Sequence, residues 1–190
     1  MINISGYPIF NINMSTLKDT SIDKRDNTII YMTNSILPAV SFDKVKDDYV
    51  KKLGLEIVPM SNDALFVDKA GNITFIEFKN GYIDKTKQFS IRKKIYDSIL
   101  IFTDIVSIGI SAMRQFIEYI LVYNETENPG VIADEKKHVQ SSTSFDAFAK
   151  SMGNLANVEY VAFGINIFKK YCFKDVHTFT QNEFEDFLKK

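Results

Sequence analysis

Short apolar runs separated by turn-forming residues dominate the middle of the chain. Two of them, Ala64–Val67 and Ile73–Phe78, are rich in β-branched and aromatic residues and flank a turn-forming stretch, which predicts a β-hairpin. If Gly71 takes the left-handed conformation in a three-residue loop, Asp68 pairs with Asn72 and the register of the whole hairpin follows. Both faces of this hairpin are apolar, so we expect it inside a sheet that is covered on both sides.

The rest of the pattern predicts helices and strands in alternation. Apolar residues at helical spacing predict helices at 42–53, 86–105, 144–157 and 180–188. Ser41 and Gly54 are the expected N-cap and C-terminal stop of the first, and Thr180 with Glu183 forms a capping box for the last. Runs of strand-forming residues predict strands at 28–33, 55–59, 116–123 and 158–168. This order predicts an α/β or α+β fold with a mixed central sheet flanked by helices.

Composition narrows the class of protein. A chain of 190 residues, with 45% hydrophobic and 25% charged residues, suits one globular domain over residues 1–190. The single Cys172 excludes an intramolecular disulfide, and no apolar run reaches about 18 residues, so we expect a cytoplasmic protein without a membrane span. With two histidines a structural zinc site is not expected. No glycine-rich phosphate loop is present in the sequence, so we do not expect ATP.

The hairpin register places three ionisable side chains together. Asp63 lies opposite Glu77, and the alternation of side chains puts Asp63, Glu77 and Lys79 on one face. Two neighbouring carboxylates suit a hard cation such as Mg²⁺ or Mn²⁺, and a lysine beside them can stabilise charge on a phosphate. The alternative is a cross-strand ion pair at a solvated sheet end, which contributes only about 0.2–1 kcal/mol.

The same residues resemble a known family. Asp63, thirteen residues and then Glu77-Phe78-Lys79, continuing into Asn80-Gly81, is similar to the PD-(D/E)xK nuclease superfamily and to its RecB-type motif, over roughly residues 40–125. The resemblance implies a restriction-endonuclease-like fold and a Mg²⁺-dependent (or Mn²⁺-dependent) nuclease that hydrolyses phosphodiester bonds with a metal-activated water. It implies that Asp63, Glu77 and the Phe78 carbonyl bind the metal and that Lys79 is the catalytic lysine.

The first predicted helix offers a further acid. In members of the superfamily this helix often contributes one more carboxylate, and the resemblance makes Asp47 and Asp48 the candidates here. Asp48 lies nearer the apolar stripe of the helix. Asp48 alternates with lysines along the helix, which favours the alternative, a solvated face of mixed charge.

A basic segment follows the trio. The net charge of the whole chain is −1, so attraction to nucleic acid must come from a local patch. Residues 79–94 supply one, with a local net charge of +5. We expect its lysines and its arginine to contact phosphates of the nucleic-acid backbone. These residues are Lys85, Lys87, Arg92, Lys93 and Lys94.

The expected partner is nucleic acid, DNA rather than RNA, and a homodimer is expected if both strands of a duplex are cut. Nucleases of this size act in restriction, phage defence, mobile elements or repair, and the resemblance does not choose among these roles. Two other classes stay open: an inactive module of the same fold that binds nucleic acid or protein, and a toxin or defence effector controlled by a partner.

Overall fold

The computed structural model describes residues 2–25, 28–131 and 161–189, and within them the chain forms eight strands and six α-helices. The strands are β1 Met14–Thr16, β2 Ile22–Arg25, β3 Thr28–Tyr31, β4 Pro38–Ser41, β5 Ala64–Val67, β6 Ile73–Lys79, β7 Ile117–Tyr123 and β8 Asp175–Thr180. The helices are α1 Pro8–Ile12, α2 Leu17–Thr20, α3 Phe42–Leu53, α4 Lys85–Val106, α5 Ile110–Phe116 and α6 Gln181–Leu188.

Six strands form one sheet in the order β1-β4-β5-β6-β7-β8, while β2 and β3 pair with each other in a separate hairpin. Pairing is antiparallel from β1 to β6 and parallel from β6 to β8. Strand β6 therefore lies between an antiparallel and a parallel neighbour. The mixed central sheet flanked by helices is confirmed.

The β5–β6 hairpin has the predicted register. Leu65 lies opposite Phe75, the Asp68 N–H donates to the Asn72 carbonyl at 3.1 Å, and Gly71 has a φ of 83°. Extending this register by one pair beyond the end of β5 places Asp63 level with Glu77. The left-handed glycine thus closes the loop as the turn chemistry requires.

The sheet is apolar on both faces. One face packs against α1, α3, α4 and α5, where Phe75 of β6 contacts the rings of Phe42 and Phe102. The other face packs against α2 and α6, where Phe78 meets Phe184 edge to face. This two-sided burial explains why both strands of the hairpin lack the polar alternation of a solvated sheet.

Several helices confirm the sequence pattern, and their ends follow local signals. Helix α3 has the predicted bounds and ends at Gly54, whose φ is 64°. Ser41 occupies the N-cap position, although its side chain makes no capping hydrogen bond. Helix α4 extends the predicted 86–105 helix by one residue at each end. Helix α6 begins with the predicted capping box of Thr180 and Glu183.

Two predicted strands are wrong. Residues 55–59 form no strand, and residues 55–58 are exposed, so their apolar side chains do not mark a buried element. The predicted strand 158–168 lies partly outside the described residues, and its described part contains a turn and a 3₁₀ helix, Asn166–Phe168. Phe163 and Gly164 have φ values of 60° and 64°, which a strand does not allow. The predicted helix 144–157 lies outside the described residues.

Other strands differ in extent or were not predicted. The predicted strand 28–33 is β3, which belongs to the separate hairpin, and the predicted strand 116–123 begins one residue later as β7. Strands β4 and β8 were not predicted: β4 is only four residues long and begins with Pro38, and β8 contains Asp, His and Thr. Among the described residues, no single helix is long and apolar enough to cross a membrane.

Candidate functional site

The hairpin brings the predicted trio together. Asp63 directly precedes β5, and Glu77 and Lys79 lie at the end of β6. The Asp63 Oδ2 atom accepts a hydrogen bond from the Phe78 N–H at 2.7 Å, and Lys79 Nζ forms an ion pair with Glu77 Oε1. The C=O of a strand residue points to the same side as its N–H, so the Phe78 carbonyl also faces the Asp63 side of β6.

A second lysine, which the sequence assigned to phosphate contact, belongs to this cluster. Lys94 of α4 donates to Glu77 Oε1 at 2.7 Å and to Asp63 Oδ1 at 3.1 Å, and its side chain is only 15% exposed. The cluster of Asp63, Glu77, Lys79 and Lys94, here called the acid–lysine cluster, therefore contains two carboxylates and two ammonium groups.

The position of Lys94 had a signal in the sequence. Lys94 stands at helical spacing with the buried residues Ile91, Ile95 and Ser98, so it lies on the stripe of α4 that faces the sheet. The interpretation of residues 79–94 as one basic surface placed Lys94 on the solvent side. A lysine on the buried stripe of a helix needs a carboxylate partner, and Asp63 and Glu77 supply it.

The same face of α4 fixes the backbone that leads to Asp63. Asp97 Oδ2 accepts from the Met60 N–H at 2.7 Å, and Ser98 Oγ accepts from the Asn62 N–H at 2.8 Å. On the other side, the Phe42 N–H at the start of α3 donates to the Asp63 carbonyl at 3.1 Å. Asp63 is thus held by two helices and by β6.

Burial and like charge shift the protonation of the cluster. Burial and the neighbouring Glu77 raise the pKa of Asp63 to about 7, although Lys94, Lys79 and the Phe78 N–H act in the opposite direction. Burial alone lowers the pKa of Lys94, but the charges of Glu77 and Asp63 outweigh it and leave that pKa raised. The two carboxylates therefore repel each other even with two lysines beside them.

Several buried polar atoms in this region have no hydrogen-bond partner among the residues that the structure describes. They include Glu77 Oε2, on a side chain with 0% exposure, the hydroxyl of Tyr119 on β7 and both polar atoms of the Asn62 side chain. Burial, with the charges of Glu77 and Asp63, raises the pKa of Tyr119. An unpartnered carboxylate oxygen costs free energy when it is buried, unless it binds a cation.

The oxygen donors of this set suit hard cations such as Mg²⁺ or Mn²⁺ better than they suit Zn²⁺ or copper, which prefer nitrogen and sulfur ligands. Within the described ranges, no third Asp, Glu, His or Cys joins the two carboxylates in a metal-binding group. Mg²⁺ is often held by one or two carboxylates, with waters and substrate phosphates completing its shell. Asp63, Glu77 and the Phe78 carbonyl provide such a set.

The structure does not bring Asp48 to the cluster. Asp48 Oδ2 accepts a hydrogen bond from Asn13 Nδ2 at 2.8 Å, and the residue lines a different cleft, with Tyr49, Lys52 and Asp104. This position favours the alternative interpretation, in which Asp48 belongs to the mixed-charge side of α3.

Of the other basic residues of α4, two are exposed in its first turn and two contact other residues of the protein. Lys85 and Lys87 are exposed in its first turn, where they are free to meet a phosphate backbone. Lys93 forms an ion pair with Asp97 at 2.5 Å. The Arg92 guanidinium lies against Gly164, so closely that a Cβ at residue 164 would overlap Nη2, and its Nε is buried. Arg92 is therefore half-buried and held against the loop at Gly164, and its contact with phosphate stays a prediction.

Two residues of the acid–lysine cluster, Asp63 and Lys79, line a cleft of about 410 Å³. Asp63, Phe78 and Lys79 form its floor, β2 forms one wall, and the loop from Gly81 to the start of α4 forms the other. Asn80 Nδ2 connects floor and wall by donating to Asp23 Oδ2 at 3.0 Å. That β2 lines this cleft could not be predicted, because a contact between segments far apart in the chain leaves no local pattern in the sequence.

Fold and site together define a class: an α/β protein with a mixed sheet and a buried acid–lysine cluster at the end of a central strand. No family model matches the sequence, no curated protein matches it, and no solved structure matches the fold. The resemblance to PD-(D/E)xK nucleases therefore rests on the motif residues themselves.

Proposed function

We propose that this protein is a metal-dependent nuclease. The observation that supports this most directly is the unpartnered Oε2 of Glu77, fully buried and next to a second carboxylate, Asp63. A structural ion pair at a sheet end would be solvated, whereas these acids lie beneath a cleft. Buried charges of this kind are costly for stability, and strongly shifted pKa values such as that of Asp63 concentrate at functional sites.

Asp63, Glu77 and the Phe78 carbonyl would hold Mg²⁺ or Mn²⁺. When bound, such a cation lowers the pKa of a water molecule and offsets negative charge on a phosphate. It would also give the orphaned Glu77 oxygen a partner.

The two lysines of the cluster serve different purposes in this proposal. Lys79 is 22% exposed and lines the cleft, so its ammonium group is placed to donate to an oxygen of the scissile phosphate. Lys94 lies deeper, between the two carboxylates, and holds them close despite their repulsion. Lys87, at the rim of the cleft, would bind a neighbouring phosphate.

The proposed substrate is DNA rather than RNA, and restriction, phage defence, mobile elements or repair are the proposed settings. The exposed Lys85 and Lys87 support a nucleic-acid partner, because a phosphate backbone is bound through such cations. Neither lysine distinguishes deoxyribose from ribose, so both substrates belong in the test.

The test is cleavage of labelled single-stranded DNA, duplex DNA and RNA with Mg²⁺ or Mn²⁺. We expect the wild type to cut and Glu77→Gln to lose at least about a hundredfold in rate, which is the size of loss typical when a charge-stabilising group is removed. Glu56→Gln, at an exposed position, is the matched control and should cut like the wild type. Metal-independent binding without cutting would instead indicate an inactive module, and cutting only after a partner is removed would indicate an effector.

A further inference from the structure

We propose that the cleft admits one single strand of nucleic acid, or a frayed end, and that the ring of Tyr82 stacks on a base of that strand. This inference rests on the proposed function and names the substrate form that the site accepts. It adds Tyr82 as a residue that determines specificity for unpaired nucleotides.

The first argument is the depth of the acids. The Glu77 side chain is fully buried and that of Asp63, which lines the cleft, is 15% exposed, so a phosphate must enter the cleft to approach the two acids. The cleft of about 410 Å³ lies near the lower end of the range of about 300–1,000 Å³ typical of sites for small molecules. Such a space suits one or two nucleotides of a single chain, whereas the paired strands of a duplex would meet the wall formed by β2.

The second argument is the setting of Tyr82. It stands three residues after Lys79 of the floor, and the residue is 66% exposed at the cleft. One side chain, Asn128, fixes the backbone on both sides of it, since its Oδ1 accepts from the Ile83 N–H at 2.9 Å and its Nδ2 donates to the Gly81 carbonyl at 3.2 Å. A large ring is therefore presented to solvent by a rigid loop, which reduces the entropy lost when a ligand stacks on it.

The third argument is the chemistry around the ring. Lys79 and Lys87 line the same cleft, so cations stand beside an exposed aromatic face. Ile22, on the opposite wall, is 37% exposed and adds apolar surface. Sites for single-stranded nucleic acid combine these two features, cations along the backbone and aromatic rings under the bases. A duplex hides its base faces and could use only the cations.

The experiment measures binding by fluorescence anisotropy in EDTA, so that no cutting occurs, at one fixed salt concentration. The probes are a labelled 12-nucleotide DNA strand, the RNA strand of the same sequence and the blunt DNA duplex. The variants are Tyr82→Ala, Tyr82→Phe and the control Tyr171→Ala, which removes another exposed tyrosine, 57% exposed, that does not line the cleft. Thermal melts check that each variant folds, as expected for exposed positions.

We expect Tyr82→Ala to raise the Kd for single strands about tenfold, which is within the loss typical for one stacked base. Tyr82→Phe and Tyr171→Ala should stay within about twofold of the wild type, and the duplex should bind more weakly and not respond to Tyr82→Ala. Equal Kd values for Tyr82→Ala and Tyr171→Ala, or a duplex bound as tightly as the strand, would overturn the inference. Comparing the Kd values of the DNA strand and the RNA strand shows whether the cleft prefers deoxyribose or ribose.

Failure of this inference can be told apart from failure of the proposed function. If the wild type and Tyr82→Ala cut a duplex equally well with Mg²⁺, the proposed nuclease activity stands and the single-strand inference falls. If strand binding depends on Tyr82 but no metal supports cutting, the inference stands and the nuclease falls. If no probe binds in EDTA and none is cut with Mg²⁺ or Mn²⁺, both are wrong, whereas cutting without such binding overturns only the single-strand inference.

Discussion

Asp63 shows at the scale of one residue how a buried carboxyl group works against stability. Burial and the neighbouring Glu77 raise its pKa in the folded protein to about 7, from about 3.8 for an aspartate in water. A carboxyl with a raised pKa holds its proton in the folded state after the unfolded state has released it. Between about pH 4 and pH 7 the unfolded state therefore binds fewer protons, and the free energy of unfolding falls as the pH rises. The loss is complete above about pH 7.

The corresponding prediction concerns Asp63→Asn in the absence of metal. Asparagine keeps an oxygen that can accept from the Phe78 N–H but cannot ionise. We expect this variant to be more stable than the wild type at pH 8, by roughly 1–3 kcal/mol, and to lose the advantage toward pH 4. Urea unfolding of both proteins between pH 4 and pH 8 measures the gain in stability at pH 8 and its loss toward pH 4. A variant less stable than the wild type at pH 8 would show that Asp63 is stabilising when it is charged.

At the scale of elements, Lys94 connects α4 to the β5–β6 hairpin through both carboxylates. Removing one partner of a buried ion pair leaves an uncompensated charge, which costs about 3–5 kcal/mol. We expect Lys94→Gln to lose stability near the lower end of that range, because Lys79 still pairs with Glu77. Lys85→Gln, on the exposed first turn of the same helix, is the control and should change stability by less than about 0.5 kcal/mol. Urea melts compare the two, and equal effects would contradict the central position of Lys94.

A second contact between elements joins the loop at Gly164 to α4. Gly164 has a φ of 64°, and a Cβ there would meet Arg92. We expect Gly164→Ala to cost about 1–3 kcal/mol through strain and overlap. Gly54→Ala is the matched control and should cost less, since Gly54 has the same φ of 64° but nothing lies within 4 Å of a Cβ at that position. Arg92→Ala removes the group that a Cβ at residue 164 would overlap. The stability losses of Arg92→Ala and Gly164→Ala should therefore not add in the double variant. Additive losses would show that Gly164→Ala acts through backbone strain alone.

At the scale of the whole molecule, the elements that could be predicted from the sequence are those with local signals. The hairpin follows from the position of Gly71, and the ends of α3 and α6 follow from Gly54 and the capping box at Thr180. The pairing of β4 and β8 with the sheet could not be predicted, because it depends on contacts between segments far apart in the chain. Each of these strands also has a weak pattern of its own.

The candidate site divides in the same way. Asp63, Glu77 and Lys79 could be placed together, because a hairpin register is set by its own turn. Lys94 had a helical-spacing signal that its basic neighbours obscured. Neither the packing of Arg92 against Gly164 nor the hydrogen bond of Asp48 to Asn13 had any signal, since both contacts join segments that no local rule connects.

The metal-binding part of the proposal can be tested on the whole molecule without measuring catalysis. A cation that binds only the folded state stabilises it by mass action, by about 2.7 kcal/mol at a hundred times its Kd. We expect Mg²⁺ or Mn²⁺ to raise the Tm of the wild type and to remove its loss of stability between about pH 4 and pH 7, because the cation favours the ionised form of Asp63. Asp63→Asn and Glu77→Gln should lose most of the Tm shift, and Glu56→Gln should keep it. A shift of equal size in all four proteins would place the cation elsewhere on the chain and leave the acid–lysine cluster as a purely structural feature.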